Sequence, residues 1–462
     1  MATECCAGSV LHTVAPSVPA PPGRSRRRLL RGAGATLLLG AAGALQAGCR
    51  AGAGGRPGPT PAVGGTIVAT YPISRMEEIT YKKLFRLTEE RYPGLKIDEI
   101  GIAGSPPDQI TTMFAGGTPP DAIRMSGARE YTFFAVKGFT QPLDAFFKRG
   151  DYAIKDVVPF ALEGGAWRGK QVAMVFHLGG NAIYFNKTLL AQKGVKLPSA
   201  YDSQGQWNWT TLLEVLRGVS GGSGESRTWG MNRVESLDLA NAWIYSAEGE
   251  LYDKDITVSS FTHPRTMEAL QYLVDLVLKH RVVPTVADQA GQGEIFMQGT
   301  QGTIFTARFN APVIEVARKS AGWEVGMVLP PRGPTGKLYT RESPVSYGMG
   351  SQTSKPEAVW AMMKVFAGPE GQKIYGGDGI GLPVLRSLYT PEVLKGVLYE
   401  WEDLPTYLRS VEHARIQVAP AYQEVNAVFQ RELRLCFDGQ KSVRDAAEAM
   451  KREIDPLLKQ YA

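Results

Sequence analysis

The stretch from Gly169 to Pro198, GKQVAMVFHLGGNAIYFNKTLLAQKGVKLP, constrains this chain more than any other. An apolar run, Val172 to Phe176, leads into His177-Leu178-Gly179-Gly180-Asn181. A second apolar run follows, Ala182 to Phe185, and then a helix expected from about Asn186. Two strands interrupted by Gly-Gly predict a chain that leaves one compact unit and enters another, because glycine tolerates the irregular dihedrals that a bend requires. Polar side chains at such a step are expected to lie in a cleft.

The residues after the step, Ile183-Tyr184-Phe185-Asn186-Lys187-Thr188-Leu189-Leu190, carry a resemblance. They resemble the inter-lobe crossing of family 1 extracellular solute-binding proteins, the ligand receptors of ABC importers. The family pattern there is Gly-x-x-hydrophobic-hydrophobic-Pro followed by Tyr-hydrophobic-Asn-Lys-x-Leu. This chain departs from it at the proline, where Val175 stands. The resemblance implies an α/β, two-lobed periplasmic binding protein-like fold of type II, with the lobes joined by crossing strands. The lobes are expected at 63–178 plus 348–384 and at 179–347 plus 385–462.

At 462 residues and 44% hydrophobic composition the chain can bury large cores. Its net charge of +6 is concentrated at the start. Residues 1–48 hold five arginines and one acid, which leaves +2 for the remainder. That is no nucleic-acid footprint, and no basic block follows.

The N-terminus reads as an export signal. Ser25-Arg26-Arg27-Arg28-Leu29-Leu30-Arg31 precedes an apolar Gly/Ala-rich run, Ala33 to Ala47, and Gly48-Cys49. A basic region, a short apolar region and small residues before a cleavage point define such a segment, and the run falls short of the ~20 residues a membrane span needs. The paired arginines resemble a twin-arginine signal, and Leu45-Gln46-Ala47-Gly48-Cys49 resembles a lipobox. Residues 1–48 are therefore expected to be a signal peptide, Cys49 the lipidated residue, and 49–65 a flexible Gly/Pro/Ala tether. The 23 residues before Arg24 make an unusually long leader, so the true start codon is expected further downstream. Of the other cysteines, Cys5 and Cys6 fall in the leader, leaving Cys436 as a lone packing residue without a disulfide.

The folded part opens with a β-branched strand at Thr66–Thr70. A helix with Tyr81, Leu84, Phe85 and Thr88 on one face follows, and then an alternating strand from Leu95, an order that favours a parallel unit. Gly116-Gly117-Thr118-Pro119-Pro120-Asp121 resembles the family's Gly-Thr-x-Pro-Asp loop, in which Asp121 is a turn former or a ligand contact. Asn208 or Thr210 is expected to cap the helix bearing Leu212 and Leu216, with Trp209 packed. Met267 to Leu278 has the spacing of an amphipathic core helix. Val345–Gly350 resembles a second crossing, Ser354-Lys355-Pro356-Glu357 a capping box, and Ile380–Val384 the last crossing.

Chemistry-bearing motifs are few. The sequence has no H-E-x-x-H, C-x-x-C, P-loop or EF-hand pattern, so no cofactor or metal is expected and no enzyme activity is assigned. Gly218-Val219-Ser220-Gly221-Gly222 matches G-x-S-x-G but follows a helix rather than a strand, against a nucleophile elbow. The family resemblance implies a carbohydrate ligand, an oligosaccharide by preference. Tyr71, Trp243, Phe309, Tyr347 and Tyr422 are the candidate stacking faces, and Asp121, His177, Asn181 and Arg308 the candidate hydrogen-bonding groups. Trp243 is equally a core residue by pattern, and His177 a neutral or structural group rather than a metal ligand. The implied partners are a sugar and the permease subunits of an ABC importer. A monomer held by lipid at the outer face of the cytoplasmic membrane is expected, without nucleic acid. Two alternatives stay open at this level: a secreted polysaccharide hydrolase or lyase, and a two-lobed receptor for ferric ion or another small solute.

Overall fold

The computed structural model describes residues 63–289, 295–394, 397–416, 418 and 420–461. The signal peptide, Cys49 and most of the tether lie outside the described residues. Among those described, no helix is long and apolar enough to cross a membrane.

The opening strand, Gly65–Pro72, pairs in parallel with Leu95–Ile102 over its whole length. Between them runs the helix Arg75–Arg91, which buries Tyr81, Leu84, Phe85 and Thr88 on one face. This is the expected strand-helix-strand unit. Ala122–Ser126 joins on the other side, again parallel, and Val345–Gly350 returns antiparallel beside it. Thr140–Gln141 and Met174–His177 both pair with Val345–Gly350 and complete a six-stranded sheet. Its core is aromatic, with Phe176 and Tyr347 stacked at 5.5 Å among Tyr81, Phe366 and Tyr375.

A second sheet of four strands has the order Val325–Val328, Asn181–Asn186, Gln301–Ala307, Trp229–Met231. Its central strand Asn181–Asn186 is buried on both faces, as the unbroken apolar run requires. The Asn186 side chain accepts from Leu189 N and starts the next helix, and Asn208 makes a capping box with Thr211 ahead of Trp209–Val219. Helices Pro264–Leu278, Tyr422–Phe437 and Val443–Lys459 cover this sheet's core. Cys436 lies in that core, its thiol pushed up to about 11 by burial.

One local expectation is corrected. The helix Pro356–Ala367 has Lys355 at its N-cap and no side-chain cap. Ser354 is displaced from that role because Thr353 Oγ1 accepts from Lys355 N at 3.1 Å while donating to Asp121.

Candidate functional site

Three segments run side by side between the sheets. Leu178 and Leu382 exchange backbone hydrogen bonds at 3.0 and 2.9 Å, and Val345 pairs with His177. Gly180 adopts φ +60°, a conformation that only glycine takes cheaply. A Cβ on Gly381 would stand 2.3 Å from His177 Nδ1, so glycine is needed for these segments to approach. Glu342, buried, accepts from Gly180 N at 3.0 Å, Asn181 N at 3.3 Å and Ser410 Oγ at 2.6 Å. Burial raises its carboxyl above the ordinary value against the pull of those donors.

The polar residues expected at the cleft mostly serve this framework instead. Arg308 is fully buried and ion-paired with Glu402 at 2.8 Å, and it also donates to the carbonyls of Gly376, Gly381 and Val397. Its own N–H reaches the carbonyls of Gly179 and Gly180. The expectation that Arg308 faces a ligand is corrected: it clasps the crossings. Asp121 accepts from Val68 N at 2.8 Å and from Thr353, which makes it a staple between strand and loop. His177 is buried and stacks on Tyr375 at 3.9 Å; desolvation, with the Arg124 charge second, holds it neutral well below the ordinary histidine value.

The aromatic candidates divide similarly. Trp243, 1% exposed, packs among Trp209, Tyr272 and Phe305, the core role of the two expected for it. Tyr347 is buried and donates to Thr70 O at 2.9 Å. Tyr71 is buried against Tyr81 and Phe85. Both belong to the first sheet's core, and neither presents a free ring face. Phe309 is exposed, 53%, but lines none of the space where the sheets meet. Of the expected site residues, Tyr422 and Asn181 touch that space's charged residues.

Where the two sheets meet, the helix Gly127–Val136, which follows the first sheet's strand Ala122–Ser126, faces the helix Leu237–Ser246, which follows the second sheet's strand Trp229–Met231. Arg129 of the first helix pairs with Asp238 of the second. Arg341, beside Glu342 on a crossing, donates to the same Asp238 oxygen at 3.1 Å and to Asn181 Oδ1 at 3.1 Å. The Arg129 guanidinium lies 5.1 Å from the centre of the Tyr422 ring. Gly127, Ala128, Asn241, Ser343, Pro344 and Ile416 complete the walls of a chamber of ≈ 20 Å³. That is about the room of one water. Arg129, Asp238, Arg341 and Ser343 were missed in the sequence, where no local pattern joins them. The one available signal was Arg341-Glu342-Ser343-Pro344, a charged pair set immediately before an apolar strand.

Among the described residues, no group of three or more His, Cys, Asp and Glu could hold a metal ion. The tyrosines that do cluster, Tyr81, Tyr347 and Tyr375, have phenols raised by burial, Tyr81 to about 12, which disfavours the tyrosinates that iron capture needs. Ser220 ends a helix and points at Val282 O, outside any catalytic arrangement.

Two mixed sheets, joined by three adjacent crossings and meeting at a charged chamber, make a two-lobed periplasmic binding protein-like fold of type II. Solved structures of this architecture are similar over most of the chain. An ABC substrate-binding protein from Listeria monocytogenes in complex with cycloalternan matches with TM-score 0.75 at 18% identity, over 85% of this chain and 98% of that one. The GacH receptor of Streptomyces glaucescens, solved unliganded and with acarbose, matches with TM-score 0.73 at 18% identity, over 86% of this chain and all of that one. A binding protein of Brucella abortus is 23% identical over 360 residues, 76% of this chain and 82% of the relative. The chain belongs to the bacterial extracellular solute-binding protein family, whose pattern matches residues 74–373.

Proposed function

We propose that this protein is the extracytoplasmic receptor of an ABC importer, which captures a carbohydrate between its lobes and hands it unaltered to a membrane permease. The observation that carries this reading is the chamber: Arg129 from the first lobe's helix meets Asp238 and Arg341 of the second lobe beside the three crossings. Ligands gripped by both lobes add contacts in the closed form only, so binding shifts the population toward closure. The neighbours in complex with cycloalternan and acarbose support a saccharide rather than another solute. We keep the lobes expected from the sequence, 63–178 plus 348–384 and 179–347 plus 385–462, except that pairing of Val345–Gly350 with the first sheet supports starting that lobe's second segment at 345 instead of 348.

Export through a twin-arginine signal and a diacylated Cys49 belong to the same proposal, and rest on the motifs at Arg26-Arg27 and Leu45–Cys49. The test is a thermal-shift screen of mono- and oligosaccharides. A native-state ligand raises the melting point by mass action, and small-angle scattering should show compaction with the same ligand. Chemical change of the glycan on incubation would replace the receptor with an enzyme. A shift with ferric ion or amines and none with sugars would replace the substrate class.

A further inference from the structure

Resting on the carbohydrate reading, we infer that the ligand is an acidic saccharide, a uronic acid-containing glycan whose carboxylate takes the place of Asp238 between Arg129 and Arg341. Two guanidinium groups from different elements converge on one carboxylate oxygen of Asp238. Glu130 stands 4.0 Å from Arg129 Nε, but its other oxygen caps Ser126 N at 2.7 Å. The hydrogen-bonding oxygens of Glu342 are filled by Gly180, Asn181 and Ser410. Asp238 is therefore the carboxylate that both arginines share. Planar guanidinium groups recognise a carboxylate through paired, charge-assisted N–H donors, and they do so whether it belongs to a side chain or a ligand.

Two further observations point the same way. Among the described residues, the chamber walls carry no aromatic ring, so the flat apolar face on which a neutral sugar stacks is missing from them. Beside Arg341, Asn181 is fully buried and its Nδ2 has no hydrogen-bond partner, although its Oδ1 is held by Arg341. A carboxylate or ring hydroxyl oxygen entering next to Arg341 would satisfy that donor. In this arrangement Tyr422 steadies Arg129 from behind, and Asp238 holds the two arginines in place until a ligand arrives.

The experiment uses the full-length protein and a panel of di- and trisaccharides of galacturonate, glucuronate and mannuronate, each beside its methyl ester. The ester keeps the ring and removes the charge. Calorimetry should give at least tenfold tighter binding for one free acid than for its ester. Arg129→Met should lose that preference, Arg129→Lys should recover part of it, and Asp238→Asn should tighten acid binding by removing the competing charge. Arg341→Met is read alongside, and far-UV circular dichroism and the melting point separate misfolding from lost recognition. Acid and ester binding equally, neutral glycans binding while no uronide does, or acid preference untouched by Arg129→Met would each overturn the inference and leave the carbohydrate reading standing. Malate and citrate form the last arm. Binding of these carboxylates with no saccharide bound would overturn the carbohydrate reading itself.

Discussion

Replacing Arg308 by methionine separates a structural clasp from a ligand contact. Both guanidinium and carboxylate of the Arg308–Glu402 pair are fully buried, with Nε–Oε1 and Nη2–Oε2 distances of 2.8 and 3.1 Å. Removing one partner leaves the Glu402 charge buried, with Tyr407 Oη and Tyr399 N as its remaining donors among the described residues. Breaking such a pair typically costs about 3–5 kcal/mol. The carbonyls of Gly376, Gly381 and Val397 lose a donor as well. At about 4 kcal/mol, and with about 2.1 cal/mol/K of unfolding entropy per residue over about 400 residues, the melting point should fall by about 5 °C. Adding Glu402→Gln removes the stranded charge, so the double variant should be more stable than the sum of the singles by about 2 kcal/mol. Urea unfolding and calorimetric scans of the four proteins measure both quantities. A ligand-facing arginine would behave differently, with a stability change under about 1 kcal/mol and a large loss of affinity. That result would refute the clasp.

Three further outcomes follow from the same packing. Alanine at Gly381 places a methyl 2.3 Å from His177 Nδ1 and 2.9 Å from Leu178 O, so Gly381→Ala should destabilise by about 1–3 kcal/mol in urea unfolding. His177 is neutral when folded but binds a proton near pH 6.5 when unfolded. Its contribution is complete above that pH and is lost as pH falls below it, approaching about 1.4 kcal/mol per pH unit. The slope of stability between pH 6 and 5 should be shallower by that amount in His177→Gln, and parallel slopes would contradict the assignment. Trp243→Ala should cost about 3–5 kcal/mol, whereas Trp243→Phe should leave saccharide affinity at the wild-type value; weaker binding by the phenylalanine variant would return Trp243 to the cleft.

The elements were legible because their signals are local. Tyr81, Leu84, Phe85 and Thr88 declare a helix face within eight residues, and Asn186 and Asn208 announce the helices that their side chains cap. The Gly179-Gly180 step declared the crossing because it needs a left-handed residue. The chamber was not legible, since its contacts join residues 103 to 160 positions apart in sequence. Residue type misled for a physical reason. Arginine, tyrosine and tryptophan pair a large body with a polar tip, so a clasp such as Arg308 or a core ring such as Tyr347 presents the same letter as a binding residue. The family pattern located the crossings, but only coordinates separate the side chains that hold them from those beside the chamber.

In the proposed receptor, the chamber's size limits how a ligand acts. Opening the lobes leaves Arg341–Asp238 and the Glu342 hydrogen bonds on one side, and it parts Arg129 from both Asp238 and Tyr422. An ion pair with partly exposed side chains and such a ring contact contribute up to about 1 kcal/mol each, so the latch favours closure by roughly 5- to 30-fold. That is too little to lock the molecule. It is also well below the ~5.5 kcal/mol of differential binding that would carry a population from 1:99 to 99:1. With ≈ 20 Å³ between the walls, the proposed receptor has no room for a sugar in the chamber until the lobes part. On that reading the ligand enters an open form and replaces the latch. A ligand carboxylate in Asp238's place preserves the hold on Arg129 that closure needs, while the rest of the glycan supplies the contacts that the latch lacks.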